Sequence, residues 1–242
     1  RPEQIFTSLL GAMRVLTDPA ETGAVTICLP EDVQAETIEV PEEFLADREW
    51  HIRRPRPDIG LSAVAARAIA NSKKPFIVAG GGIIYSDAHA ALAKFVEATG
   101  IPVGVSQAGM GSLPWDHPQM CGSVGATGTT AANRLAKDAD LVIGIGTRYS
   151  DFTTASRSVF QNPDVKFINI NVTAFDAFKH GSAIPVVADA RTALDELTQE
   201  LSTFKVSAEY AKKIADEARA VQQVATDKVA AAKKVADDAK AE

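Results

Sequence analysis

Two hydrophobic periods alternate along this chain from Asp58 onward, and together they describe a layered α/β domain. Apolar residues at helical spacing come first, with Ile59, Val64, Ala68 and Ile69 on one side, and lead into the uninterrupted run Phe76-Ile77-Val78-Ala79 and then Gly80-Gly81-Gly82. A second helical stretch, with Ser86 as candidate N-cap and Leu92, Phe95 and Val96 facing inward, stops at Gly100 and feeds the run Ile101 to Val105. A Gly-rich stretch, a helix near Thr129 to Lys137 and the run Leu141 to Gly146 follow. The runs Val165 to Ile170 and Pro185 to Ala188 and a helix carrying Leu194, Leu197 and Leu201 complete the series. Strands that are continuously apolar rather than alternating are covered on both faces, as parallel strands are. Right-handed crossovers between them predict a doubly wound, parallel-sheet, Rossmann-like α/β domain over residues 58–203.

The flanks read differently. Pro2 suits a first helical turn, and Ile5, Leu9, Met13 and Leu16 follow at helical spacing until Asp18-Pro19. After Gly23, the run Ala24-Val25-Thr26-Ile27-Cys28-Leu29 predicts a buried strand closed by Pro30. One helix and one strand do not make a domain, so residues 1–35 are expected to be the C-terminal end of a domain that starts further upstream. Their apolar surface is expected either to drive self-association or to dock against the central domain or the helical tail. Residues 36–57, rich in Glu and Pro and ending Arg53-Arg54-Pro55-Arg56-Pro57, read as a solvated linker. In residues 204–242, Ala, Lys, Asp and Val dominate, and Tyr210, Ile214, Val221 and Val224 form a thin stripe that fades before Val235. This is a helical linker rather than a sustained coiled coil.

Charge and composition narrow the function classes. The 242 residues are 46% hydrophobic and carry 25 Lys and Arg against 31 Asp and Glu, scattered without a basic face, which argues against a nucleic-acid groove. No apolar run approaches the roughly 20 residues of a membrane span. Cys28 and Cys121 lie far apart without metal-binding spacing and read as reduced thiols of a cytoplasmic protein.

Four segments deliver small or polar residues to predicted strand ends, where a doubly wound fold gathers ligands. Gly80 to Gly82 follow a strand, yet Tyr85 stands where a dinucleotide fingerprint needs its third glycine. Gly122 to Gly128 precede a helix, so their amides face either an anion or a tight structural turn. Gly144 to Asp151 set Arg148 and Asp151 just past a strand, free to bind a phosphate and a sugar hydroxyl or to pair with each other. Asp189 follows the last short strand as a ligand or as a helix N-cap. His51, His89, His117 and His180 have no nucleophile at a recognised spacing, and no residue of the chain is expected to be catalytic.

Taken in order, Arg1 to Ile5, Pro30 to Gln34, Gly80 to Gly82, Leu113-Pro114-Trp115-Asp116-His117-Pro118, Gly122 to Gly128, Ala132-Asn133, Ala139-Asp140-Leu141 and Gly146-Thr147-Arg148 resemble the acetolactate-synthase-like thiamine diphosphate enzymes. Ser106 to Gly111 and Asn171 to Lys179 look most like the branch that opens a cyclic diketone with water. The resemblance covers residues 1–203 and implies the end of a pyrimidine-binding domain, a whole central domain and a helical link toward a diphosphate-binding domain. Thiamine diphosphate and magnesium would then be held by parts of the enzyme outside this chain, which alone would be inactive. The resemblance also implies a homo-oligomer acting on a small molecule. An acetolactate synthase or another 2-oxo acid decarboxylase is the alternative within the family, and a stand-alone FAD-, ADP- or NAD-binding module the alternative outside it.

Some relatives hold FAD or ADP in the central domain, and the corresponding residues here are Gly80, Gly81, Gly82, Val124, Gly125, Ala126, Thr127, Gly146, Thr147, Arg148 and Asp189. Acetolactate synthases carry Asp, Asp, Arg where this chain has Ser150-Asp151-Phe152, a His where it has Thr127 and an acid where it has Asn171. Those departures predict a vestigial or empty pocket.

Overall fold

The computed structural model describes residues 1–179 and 184–241 and divides the chain into two compact units, Arg1–Arg54 and Pro55–Glu242. His180, one of the four histidines weighed above, lies outside the described residues.

The first unit holds helix α1 (Gln4–Thr17) and the short turns α2 (Glu31–Gln34) and α3 (Glu42–Leu45). Asp18 closes α1: its side chain accepts from the amides of Ala20 and Glu21, at 2.8 Å each, and pairs with Arg53. Those two amides and the Arg53 charge hold its carboxyl below the ordinary range, against a smaller opposing effect of burial. Phe6 meets Phe44 edge to face at 4.8 Å. Ala12 is the unit's single buried residue, and Leu9 and Leu16, expected on a packed face, are exposed.

The strand predicted over residues 24–29 does not form. Those residues have no partner strand, Cys28 is exposed, and an apolar β-run without a neighbour leaves its backbone to water. The helix expected at the start of the chain is therefore present, and the strand is not.

The second unit has helix α4 (Ile59–Asn71), strand β1 (Pro75–Ala79), α5 (Gly82–Tyr85), α6 (His89–Thr99), β2 (Val103–Val105), β3 (Met120–Ser123) and α7 (Thr130–Asp138). It continues through β4 (Leu141–Ile145), α8 (Asp151–Thr154), β5 (Lys166–Asn171), α9 (Ala174–Ala177), β6 (Ile184–Val187), α10 (Ala190–Glu200) and α11 (Ala208–Ala241). Among the described residues the six strands are all parallel, in the order β3-β2-β1-β4-β5-β6, which is the doubly wound topology.

Strand residues alternate between two cores, one on each face. Ile77, Ile143 and Ile168 pack with α4, α6 and α10, while Phe76, Val78 and Val142 pack with α7 and α11. Tyr210 and Ile214 of α11 are fully part of the second core, so the segment read as a linker begins as a packed helix. The Tyr210 hydroxyl donates to the Pro75 carbonyl at 3.2 Å, and Lys213 pairs with Asp138 at 2.8 Å. From Val224 onward the apolar residues of α11 with described side chains are mostly exposed.

Two local expectations change. In α4 the buried positions are Ser62, Ala65, Ala66 and Ile69, while Ile59 points outward, because small residues let the helix lie close to the sheet. Ser86 ends α5 instead of capping α6, and its hydroxyl accepts from the Ala190 amide at 3.3 Å. Gly100 closes α6 in the left-handed conformation (φ 74°) as the sequence suggested.

At the amino edge of the sheet Asp140 ties the turn between α4 and β1 to the start of β4. One carboxylate oxygen accepts from the Ser72 hydroxyl at 2.6 Å and the Lys74 amide at 2.9 Å, and the other from the Lys73 amide at 2.8 Å. Burial pushes its pKa up, but these bonds together outweigh it and hold the carboxyl below the ordinary value. The carboxyl edge, where strands end and helices begin, carries every segment singled out above as a ligand candidate.

Candidate functional site

Strand order reverses between β1 and β4, so a crevice is expected at their carboxyl ends. The backbone itself bridges that gap. Gly80 donates its amide to the Ile145 carbonyl at 2.8 Å, and Gly82 to the Gly146 carbonyl at 3.0 Å. A Cβ on Gly80 would stand 2.2 Å from the Gly146 carbonyl oxygen, and one on Gly82 would stand 2.5 Å from the Gly146 Cα. Only residues without side chains allow that approach. Gly81 is looser, with a Cβ position 3.2 Å from that of Ala108, and Gly109 lies against the Ala79 carbonyl. The structure thus brings Gly80, Gly82, Gly146 and Thr147 together.

The loop after β3 is similarly spoken for. Val124 donates to the Val105 carbonyl at 3.0 Å, and the Asn133 side chain exchanges two 2.9 Å bonds with the Gly125 backbone. Ala126 donates to the Phe152 carbonyl at 2.8 Å, and Thr129 caps α7 through its hydroxyl while its amide donates to Ser123. The amides of residues 124, 125, 126, 128 and 129 therefore all reach protein acceptors, while the Thr127 side chain is exposed. Asn133, from the Ala132-Asn133 motif, is what folds this loop.

Arg148 is 85% exposed; its Nε lies 3.8 Å from an Asp176 carboxylate oxygen, and its carbonyl accepts from the Lys179 ammonium. Its partner is thus Asp176 rather than Asp151, which stands in the first turn of α8. Asn171, where some relatives carry an acid, is buried: its amide nitrogen donates to the Thr147 carbonyl, and its oxygen accepts from Thr173. Asp189 is a helix cap. Its carboxylate accepts from the amides of Arg191 and Thr192, and its own amide donates to the Pro55 carbonyl.

Sequence reasoning passed over Tyr149. It adopts a positive φ of 49° and lays its ring over Gly144, whose Cβ would stand 2.0 Å from the Tyr149 hydroxyl. Burial pushes that hydroxyl's pKa up. The Tyr149 ring meets Phe167 and Phe160 edge to face at 6.0 and 6.3 Å, a small aromatic core beneath the loop that carries Arg148. The available signal was Gly144 in an otherwise branched strand, since such a glycine marks a close approach.

Of the remaining candidates, His117 accepts from the Gln119 amide at 3.3 Å and stands 3.6 Å from Glu97, and His51 stands 3.6 Å from Glu49. These are structural or surface contacts. Among the described residues no group of three or more His, Cys, Asp or Glu could hold a metal ion, and no helix is long and apolar enough to cross a membrane. Both cysteines are free thiols; burial, aided by Glu217, pushes the Cys121 thiol up to about 12.

Comparison with known proteins fits this architecture. The sequence pattern described as "Thiamine pyrophosphate enzyme, central domain" matches residues 62–197. Proteins named 3D-(3,5/4)-trihydroxycyclohexane-1,2-dione hydrolase from Bacillus anthracis and from Bacillus cereus (strain AH820) are 48% identical over 216 residues, which is 89% of this chain. The protein of that name from Clostridium tetani is 47% identical over 214 residues, or 88% of the chain. The chain spans 33% of the length of each of these relatives.

Proposed function

The chain belongs to the thiamine pyrophosphate enzymes, whose central domain it contains, and on that premise we propose that it serves a hydrolase that opens the ring of trihydroxycyclohexane-1,2-dione. The observation that carries this reading is the 48% identity, over 89% of the chain, to hydrolases of that name. Thiamine diphosphate supplies such an enzyme with an electron sink for breaking a carbon–carbon bond. We infer that the chain's share of the work is architectural, because its strand-end loops are committed to one another.

That share is to hold the carboxyl edge of the sheet in one shape. Gly80, Gly82 and Gly146 lock the loops after β1 and β4 together, Asn133 fixes the loop after β3, and Asn171 ties the end of β5 to Thr147. The residues offered to FAD or ADP, namely Gly80, Gly81, Gly82, Val124, Gly125, Ala126, Thr127, Gly146, Thr147, Arg148 and Asp189, do not fit a dinucleotide in this arrangement. The bridged gap, the committed amides of the 124–129 loop and the capping role of Asp189 support that reading. The enzyme is proposed to be cytoplasmic and homo-oligomeric.

Two measurements test this. The complete enzyme, given thiamine diphosphate and magnesium, should hydrolyse the cyclic dione, and the 242-residue chain alone should not. The purified chain should show no flavin absorbance and no heat on titration with ADP. Turnover of a 2-oxo acid in place of the dione would move the enzyme to the decarboxylase branch. A bound flavin would return the glycine loops to a ligand-binding role.

A further inference from the structure

At the amino edge of the second unit, the segments that precede three neighbouring strands meet around an open cavity of about 290 Å³. Lys74 leads into β1, Lys137 and Asp138 end α7 ahead of β4, and Gln161, Asn162 and Pro163 lie before β5. This edge is opposite the glycine loops, so the bonds that lock those loops leave it untouched. Its volume stands at the small end of the roughly 300–1,000 Å³ of ligand pockets.

The charged groups around the cavity are unevenly committed. Asp138 accepts from the Lys213 ammonium at 2.8 Å. That bond first, and the charges of Lys213, Lys74 and Lys137 after it, hold the Asp138 carboxyl below the ordinary range against the effect of burial. Asp140, nearby, is spent on the Ser72 hydroxyl and the amides of Lys73 and Lys74. The acids of this edge are thus satisfied, while among the described residues the ammoniums of Lys74 and Lys137 have no hydrogen bond or ion pair of their own. A lysine in the last turn of α7 is ordinary, since it offsets the negative end of the helix. Lys74 has no such role, because it comes to the same cavity from the turn before β1. Two like charges lining one cavity repel, and an anion between them relieves both.

The two amide side chains complete the set. The Asn162 oxygen accepts from the Asp164 amide at 3.0 Å, which leaves its NH2 group to donate. The Gln161 NH2 group donates to the Ser158 carbonyl at 2.9 Å, which leaves its oxygen to accept. One donor and one acceptor beside two cations suit hydroxyl groups next to a negative charge. We propose that this amino-edge cavity binds a small hydroxylated oxyanion, a sugar acid or a sugar phosphate, with Lys74 and Lys137 on the charge and Gln161 and Asn162 on the hydroxyls. The proposal stands apart from the reaction assigned above and draws only on the second unit.

Calorimetric titration of the 242-residue chain at low ionic strength tests this, with glucuronate, inorganic phosphate and the neutral polyol sorbitol as probes. Lys74→Gln and Lys137→Gln are compared with Lys94→Gln, which changes an exposed lysine of α6 outside the cavity. Lys74 and Lys137 are exposed and Lys74→Gln keeps the backbone amide that holds Asp140, so all three variants should retain the wild-type denaturation midpoint. Saturable binding of at least one anion and none of sorbitol is expected, with affinity about tenfold lower in each of Lys74→Gln and Lys137→Gln and unchanged in Lys94→Gln. Tighter binding of glucuronate identifies a sugar acid as the ligand class, and tighter binding of phosphate a sugar phosphate. Absence of saturation by either anion at about 20 mM, beyond the reach of a millimolar site, would overturn the proposal. So would an affinity left unchanged by Lys74→Gln or by Lys137→Gln. An equal loss in Lys94→Gln would also overturn it, since the attraction would then belong to the overall charge and not to the cavity.

Discussion

Residues 1–54 and 55–241 are built from similar materials and reach opposite results. The first region has a 14-residue helix, two single turns and many large apolar side chains, yet it buries one alanine, and Leu16, Leu29, Leu45 and Ile52 face solvent. The second arranges its apolar residues on six paired strands, so that Phe76, Ile77, Ile143 and Ile168 are each shielded by a helix layer. Charge divides the same way. The first region holds five Lys and Arg against eleven Asp and Glu, so the whole formal charge of −6 lies there and the second region is balanced. The difference teaches that hydrophobic content alone does not make a core. Closure of the sheet from both sides does, and the first region has no second layer of its own.

The two thiols offer the widest contrast. Cys28 is exposed in the first region, whereas Cys121 is buried in the second with its pKa raised to about 12. With a disulfide reagent at pH 8, one thiol should react at the rate of a free peptide and the other at least ~10³-fold more slowly, because it needs the second region to open. Denaturant should release the second thiol. Two fast thiols under native conditions would mean that β3 is not stably held.

A pair of glycine substitutions sharpens the comparison next. Gly80→Val drives a Cβ into the backbone at Gly146, and a loss of at least about 3 kcal/mol is expected, seen as a lower denaturation midpoint. Gly23→Val, where nothing lies within 4 Å, should change stability by no more than about 0.5 kcal/mol. Similar effects at the two positions would show that the bridge between the loops after β1 and β4 is not rigid.

Asp140→Asn is a smaller perturbation within the second region. It removes a charge that accepts three hydrogen bonds, and about 2 kcal/mol is the expected cost at pH 7. The sign of its pH dependence follows from the lowered carboxyl pKa. Its stabilisation is present above the unfolded value of about 3.9 and disappears as pH falls through the lower folded value. Wild type and variant should therefore converge in thermal stability toward pH 2, and a constant gap down to that pH would assign the effect to packing.

These contrasts mark what was legible in the amino acids. The strands β1, β4 and β5 announced themselves as unbroken apolar runs, and Gly100 as a helix stop. Strand β3 escaped notice because Met120-Cys121-Gly122-Ser123 is neither alternating nor uniformly apolar, and its pairing with β2 is irregular. The run at 24–29 had the composition of a strand, but strand formation depends on a neighbour that a local window does not reveal. Gly80 to Gly82 and Gly146 were singled out only as members of strand-end segments, and the fold alone shows that another backbone fills the space beside Gly80, Gly82 and Gly146. Tyr149 left only the indirect signal of Gly144, and the left-handed turn Ala155-Ser156-Arg157 was invisible, since non-glycine residues enter that conformation under tertiary pressure rather than by preference.

The account's central claim is that a complete core lies within 55–241 and none within 1–54. Amide hydrogen exchange of the 242-residue chain, resolved by peptide, tests it most directly. Peptides covering β1, β4 and β5 should exchange only by global unfolding, with protection that falls together as denaturant is added. Peptides covering α1 should exchange within about tenfold of the unstructured rate. Protection of Gln4–Thr17 equal to that of Leu141–Ile145, lost at the same denaturant concentration, would contradict the claim and place both regions in one cooperative core.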